Sequence, residues 1–179
     1  MKKIETSIPD LFVIEPTVFE DERGFFFEYY NEEKFKEFGI NFDFKQANHS
    51  KSVKGTLRGI HFQLPPKAQA KLVRCSAGRL WDVAVDLRPN SPTYKRWFGI
   101  ELSATNKKML FVPVGFGHGF YALEACELQY QVSNTFDKSL DAGVAYNDPE
   151  LGIDWQISGD PILSEKDRAL PFLSDSEGF

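Results

Sequence analysis

Lys71-Leu72-Val73-Arg74-Cys75-Ser76-Ala77-Gly78-Arg79-Leu80-Trp81-Asp82-Val83-Ala84-Val85-Asp86-Leu87 reads as two strand-like runs around a turn of small residues. The first arm, Lys71 to Ser76, is largely apolar, and Ala77-Gly78 leads into a second arm, Leu80 to Leu87, a pattern that predicts a hairpin. In the second arm Val83, Val85 and Leu87 share one face, and Asp82, Ala84, Asp86 and Arg88 share the other. That period is two, the period of a strand. Cys75, within the apolar first arm, is expected to be a buried thiol.

The same texture extends in both directions. Trp97 to Leu102, Met109 to Pro113, Phe120 to Leu123 and Leu128 to Val132 continue it downstream, and the aromatic run Phe25 to Tyr30 continues it upstream. One helix is well signalled: Asn31 as N-cap, Glu32 and Glu33 in the first turn, Phe35 and Phe38 on one face, and Gly39 as a stop. From Asp148-Pro149 onward the chain reads as a loop-rich tail with one short helix start. Short strands at this spacing, punctuated by Gly and Pro, predict an all-β sandwich or barrel. With no repeat, linker or low-complexity stretch, residues 1–179 read as a single domain.

Composition narrows the partners. The 17 Phe, 6 Tyr and 3 Trp suit strands around a roomy interior. A net charge of −5 argues against nucleic acid but is compatible with a small anion in a locally basic pocket. Two cysteines with no CxxC pattern exclude a disulfide scaffold. No signal peptide and no apolar run of membrane-spanning length are visible, so the expected location is the cytoplasm, with no membrane partner.

Four groups of residues carry possible chemistry. The first is Arg58-Gly59-Ile60-His61-Phe62-Gln63 with Lys71, a histidine flanked by cations in a chain of only three histidines. Neighbouring cations keep an imidazole neutral and able to take a proton, and the same cations stabilise an oxyanion. On an ideal strand Arg58 and His61 face opposite sides, and a bulge at Gly59 is what would bring them together. The second is Pro113 to Phe120, whose Pro-x-Gly-x-x-His spacing resembles the second half of the cupin signature, a tight turn aiming His118 inward. The first half of that signature supplies metal ligands, but His61-Phe62-Gln63 with no nearby Glu is a poor set, so no metal is expected. The third, Asp21 to Glu28, places Phe26 and Glu28 on one face, as a ring and acceptor for a heterocycle or as core and wet edge. The fourth, Ser164-Glu165-Lys166-Asp167, is a capping box in which Asp167 either caps a helix or orients His61. Tyr130 is likewise either packing or a neutral proton donor.

Taken in order, the matching pieces are Asp21-Glu22-Arg23-Gly24-x-Phe26-x-Glu28, Gln46-Ala47-Asn48, Leu57 to Gln63, Ala68 to Val73, Asp82 to Arg88, Pro113 to Phe120, Asn147-Asp148-Pro149 and Leu163-Ser164-x-Lys166-Asp167. Together they resemble the dTDP-4-dehydrorhamnose 3,5-epimerases over nearly the whole chain. The resemblance implies a cupin-like double-stranded β-helix (a jelly-roll barrel) with a few short peripheral helices. It implies a cofactor-independent isomerase that inverts C3 and C5 of dTDP-4-dehydro-6-deoxy-D-glucose, in dTDP-L-rhamnose and polysaccharide biosynthesis. Carried over by position, His61 is the base, Asp167 its dyad partner, Tyr130 the acid on the other face, and Lys71 the cation at the enolate oxygen. Arg58, His118, Asp141 and Lys166 contact the substrate, with Gln46 and Asn48 nearby, and Phe136 stacks on thymine. The family's homodimers exchange an N-terminal strand, so Arg23, Phe26 and Glu28 would serve the partner's site.

The departures from the family pattern, Gly117 for a frequent Ala apart, cluster between residues 135 and 146: Thr135 and Phe136 in place of more usual aromatics, Asp141 for Glu, and Tyr146 for Trp. On sequence alone, an epimerase of C3 or C5 only, acting on another nucleotide-deoxysugar, and a metal-dependent cupin stay open as alternatives.

Overall fold

The turn at Ala77-Gly78 does not close a hairpin. In the structure, a computed structural model that describes residues 1–176, 178 and 179, the two arms flanking it lie in different sheets. The strands are β1 (Lys2–Glu5), β2 (Phe12–Glu15), β3 (Val18–Asp21), β4 (Gly24–Phe27), β5 (Gln46–Ser52), β6 (Leu57–Gln63), β7 (Lys71–Ala77) and β8 (Arg79–Asp86), then β9 (Trp97–Ser103), β10 (Met109–Val112), β11 (Phe116–Ala122), β12 (Cys126–Val132) and β13 (Asp141–Gly143). One antiparallel sheet runs β1-β2-β10-β7-β12-β5 and the other β13-β6-β11-β8-β9. The arms β7 and β8 therefore pair with other strands, and Gly78 is the corner between sheets. Its φ of +67° suits glycine, and a Cβ there would collide with the carbonyl of Ala125. This is the all-β, cupin-like arrangement of two facing sheets, not closed into a continuous barrel, with two short helices at the periphery.

Each face of each sheet is covered, so strand alternation does not translate into buried and exposed. Between the sheets lie Val73, Cys75, Leu110 and Leu128 from one side and Leu80, Ala84, Phe116 and Phe120 from the other. The outer face of the second sheet, including Val83, Val85 and Ile60, is roofed by Trp155, Leu151 and other tail residues. The outer face of the first, including Leu72, Met109 and Phe111, is covered by Phe35 and Ile40. Phe35 belongs to α1 (Glu32–Glu37), which begins where Asn31 accepts a hydrogen bond from Lys34 N–H, a cap worth about 1 kcal/mol. Burying a ring as fully as Phe35 contributes roughly 1.5–3 kcal/mol.

Two local features position the site. On β6, His61 pairs with His118 and Arg58 with Phe120, so Gly59 and Ile60 together oppose Gly119 alone. This is the bulge expected at Gly59, and only glycine fits it: φ is +119°, and a Cβ would lie 2.6 Å from Gly119 Cα. The tight turn expected before His118 ends at Gly115 (φ +90°), pairing with β8 starts at Phe116, and His118 itself sits in the middle of β11. Gly117 and Gly119 lack the side chains that would collide with Ile60 and the backbone of Arg58.

Candidate active site

A cavity of about 140 Å³ opens between the sheets, lined by Arg58, His61, His118, Gly119 and Phe120 from one and by Ser50, Lys71, Leu128 and Tyr130 from the other. Arg58 and His61 thus share one chamber, as the bulge allows. His61 Nε2 donates to Asp167 Oδ1 at 2.6 Å, across 106 positions of sequence. Asp167 lies on α2 (Glu165–Arg168) and is 5% exposed. Its second oxygen accepts from Ser164 Oγ at 2.6 Å, while Ser164 Oγ accepts from Asp167 N–H at 3.0 Å. The capping box and the His61 contact therefore coexist in one residue. Burial opposes ionisation of Asp167, but the hydrogen bonds from His61 and Ser164 outweigh it and hold the carboxyl at about 2. With Nε2–H committed, the basic lone pair of a neutral His61 is on Nδ1, which has no hydrogen-bond partner among the described residues. An imidazole held this way keeps a basic lone pair, here on a buried atom.

The opposite wall carries two complementary groups. Lys71, 8% exposed on β7, donates to the His61 carbonyl at 3.2 Å. Burial lowers its pKa to about 8, against the pull of Asp82 and Asp141. The Tyr130 hydroxyl on β12 has its pKa raised by burial, only partly offset by the Arg58 charge, so the phenol is a proton donor at neutral pH. Arg58 is braced by Ser52 Oγ at 3.1 Å and the Lys51 carbonyl at 3.2 Å. His118 forms a second histidine–carboxylate pair, donating to the fully buried Asp82 at 2.9 Å. A pH dependence follows from Lys71. If its ammonium stabilises an oxyanion, kcat/KM falls as pH rises through about 8, where the charge is lost. A pH–rate profile of Lys71→Met, which has no charge to lose, should lack that limb.

The remaining expected residues lie outside this chamber. Phe136, 55% exposed, lies on the loop after β12, and Asp141, at the start of β13, is joined by an ion pair to Lys166 on α2. Asn48 accepts from Gln46 at 2.8 Å, and Gln46 in turn accepts from the Phe136 N–H at 2.8 Å. Arg23, Phe26 and Glu28 do not approach the cavity of their own chain. They sit on or beside the β3–β4 hairpin, which joins neither large sheet, with Arg23 paired to Asp21 and Glu28 to Lys34.

A sequence model described as dTDP-4-dehydrorhamnose 3,5-epimerase matches residues 5–175. The dTDP-4-dehydrorhamnose 3,5-epimerase of Salmonella typhimurium is 50% identical over 97% of this chain and 96% of its own. The crystal structure of the Elizabethkingia anophelis enzyme of the same name superposes with a TM-score of 0.95 at 50% identity, covering 100% of this chain and 99% of that one. The Legionella pneumophila epimerase, solved in complex with dTDP-4-keto-L-rhamnose, gives 0.94 at 41% identity, covering 97% and 93%. The chain belongs to the dTDP-4-dehydrorhamnose 3,5-epimerase family.

Membership makes this chain an isomerase. In this epimerase the donor set does not suit a metal. Gln63 is committed to backbone groups, and no group of three His, Cys, Asp or Glu among the described residues is placed to hold an ion. No helix among the described residues is long and apolar enough to cross a membrane. Two residues at the chamber escaped the sequence reading: Asp82, bonded to His118, and Ser50, on the lining. Asp82 was legible only as a carboxylate in an apolar strand, with nothing to name His118 as its partner. Ser50 carries no local signal at all.

Proposed function

We propose that the chain converts dTDP-4-dehydro-6-deoxy-D-glucose to dTDP-4-dehydro-L-rhamnose by inverting C3 and C5, as its family name describes. The observation that supports this reading is that His61 and Tyr130 line opposite walls of one chamber. The C3 and C5 protons both flank the C4 ketone, so removing either gives an enolate on the same oxygen. His61 Nδ1 takes the proton from one face, and the C–H electron pair moves into the enolate. Lys71, with Arg58, offsets the charge on the C4 oxygen. Tyr130 returns a proton to the other face, and solvent then resets the His61 imidazolium and the Tyr130 phenolate. Inversion requires two groups, and the two sheets supply one each. Asp167 holds the His61 tautomer.

The product identifies the reaction. After incubation with the 4-keto sugar nucleotide, borohydride reduction and acid hydrolysis should yield 6-deoxy sugars of the L-rhamno and L-talo series. Recovery of only the D-gluco and D-galacto series would contradict the proposal, and inversion at a single centre would replace it with a one-centre epimerase.

The functional unit in this proposal is a homodimer. The β3–β4 hairpin stands off both sheets and exposes Phe19, Phe25 and Phe26 at 63%, 60% and 70%, an apolar surface of the kind that marks an interface. If Arg23 serves the partner's site, Arg23→Ala and His61→Ala proteins, each impaired alone, should complement on subunit mixing. A statistical mixture would regain about a quarter of wild-type activity, from one intact site in each mixed dimer. A sedimenting monomer, or mixtures with no regain, would count against the exchanged arrangement.

A further inference from the structure

Phe136 stands largely exposed on the loop after β12, yet the backbone around it is held at three consecutive residues. Gln63, 3% exposed on β6, accepts from Asp137 N–H at 2.8 Å through Oε1. Through Nε2 it donates to the Thr135 carbonyl at 3.1 Å and to the Lys67 carbonyl. Gln46 completes the set by accepting from Phe136 N–H. The same two loops are stitched again by Gln69 to the Asn134 carbonyl at 2.7 Å, Asn134 to the Ala68 carbonyl at 2.8 Å, and Lys67 to Asp137 at 2.9 Å. A ring that only had to be tolerated on the surface would not need its backbone fixed on both sides by a buried amide.

We propose that Gln63 is a positioning residue for substrate recognition, acting through Phe136. Its amide fixes the loop so that Phe136 presents a ready platform for the flat base of the nucleotide, and so that binding need not order it. Gln63 lies two residues beyond His61 on the same strand. The platform is thereby tied to the strand that carries the base, which sets the reach from the stacked ring to the reacting sugar. In a metal cupin the position would be spent on a ligand; here the side chain has every polar atom engaged with loop backbone. The inference rests on the epimerase reading above.

A double-mutant cycle read by dTDP calorimetry tests it. Gln63→Met keeps the bulk and removes the hydrogen bonds. Gln63→Glu, a second variant in case the first does not fold, keeps the acceptor for Asp137 but repels the Thr135 and Lys67 carbonyls. Either should weaken dTDP about tenfold in the wild-type background and by less than about twofold in Phe136→Ala, since the platform is already gone. KM should rise while kcat at saturating substrate stays within about threefold. Equal losses in both backgrounds, unchanged dTDP affinity in both Gln63 variants, or a fall confined to kcat would overturn the inference while leaving the epimerase reading standing. A wild-type protein that does not bind dTDP would overturn both.

Discussion

His61→Ala is expected to lower kcat by about 10²–10⁴-fold, the usual worth of a general base, while dTDP binding stays near wild type. The imidazole is 25% exposed at the cavity wall, so its removal leaves the core between the sheets intact. Asp167→Asn should approach the same loss by another route. An amide can donate to Nε2 and so favour the tautomer with its proton on Nδ1, which blocks the lone pair the reaction needs. This variant also carries a stability signature. The Asp167 carboxyl is held at about 2 in the folded chain, below its unfolded value, so its contribution is present above about pH 4 and lost as pH falls through about 2. That contribution is about 2 kcal/mol. The stability gap between wild type and Asp167→Asn should therefore close as pH falls, and a gap that stays constant from neutral to low pH would contradict the assignment. Full activity in His61→Ala would remove the base from the mechanism.

Tyr130→Phe separates exchange from inversion. The phenol is half-buried, and its replacement removes only a hydroxyl, so the wall of the chamber keeps its shape. Epimerised product should fall by about 10²–10⁴-fold, because no group remains to return a proton to the second face. His61 can still remove a proton and return one from its own side. The variant should therefore wash solvent deuterium into recovered substrate with retention of configuration, detected by proton NMR. Inversion at a wild-type rate, or loss of exchange together with inversion, would show that Tyr130 is not the second-face acid.

The residues proposed to do the chemistry were more legible than the path that brings them together. His61, Lys71, His118 and Asp167 could be singled out because each is a titratable group in a strand or cap where a bland residue would serve. The Gly59 bulge could be anticipated as well, since glycine in a strand between two polar residues has few other uses. The corner at Gly78 could not. A local pattern of two runs and a small-residue turn is the same for a hairpin and for a crossing between sheets, and the difference lies in pairings with distant strands, β7 with β10 and β12, β8 with β9 and β11. The partner of His118 was hidden for the same reason. Alternation puts Asp82 on the face opposite Val83, but only the pairing of β8 with β11 brings it to the imidazole, 36 residues away. The hairpin that carries Arg23 and Phe26 was read from the family, and its place in the single chain, away from the cavity, gives it work only if a second chain is present.

The most direct test of two-faced proton transfer is proton NMR of the wild-type reaction on the dTDP-4-keto sugar in D2O. The account predicts that the L-rhamno product carries solvent deuterium at both C3 and C5, each entering with inversion. Deuterium at only one of these carbons, or an inverted product that retains its original protons, would contradict it.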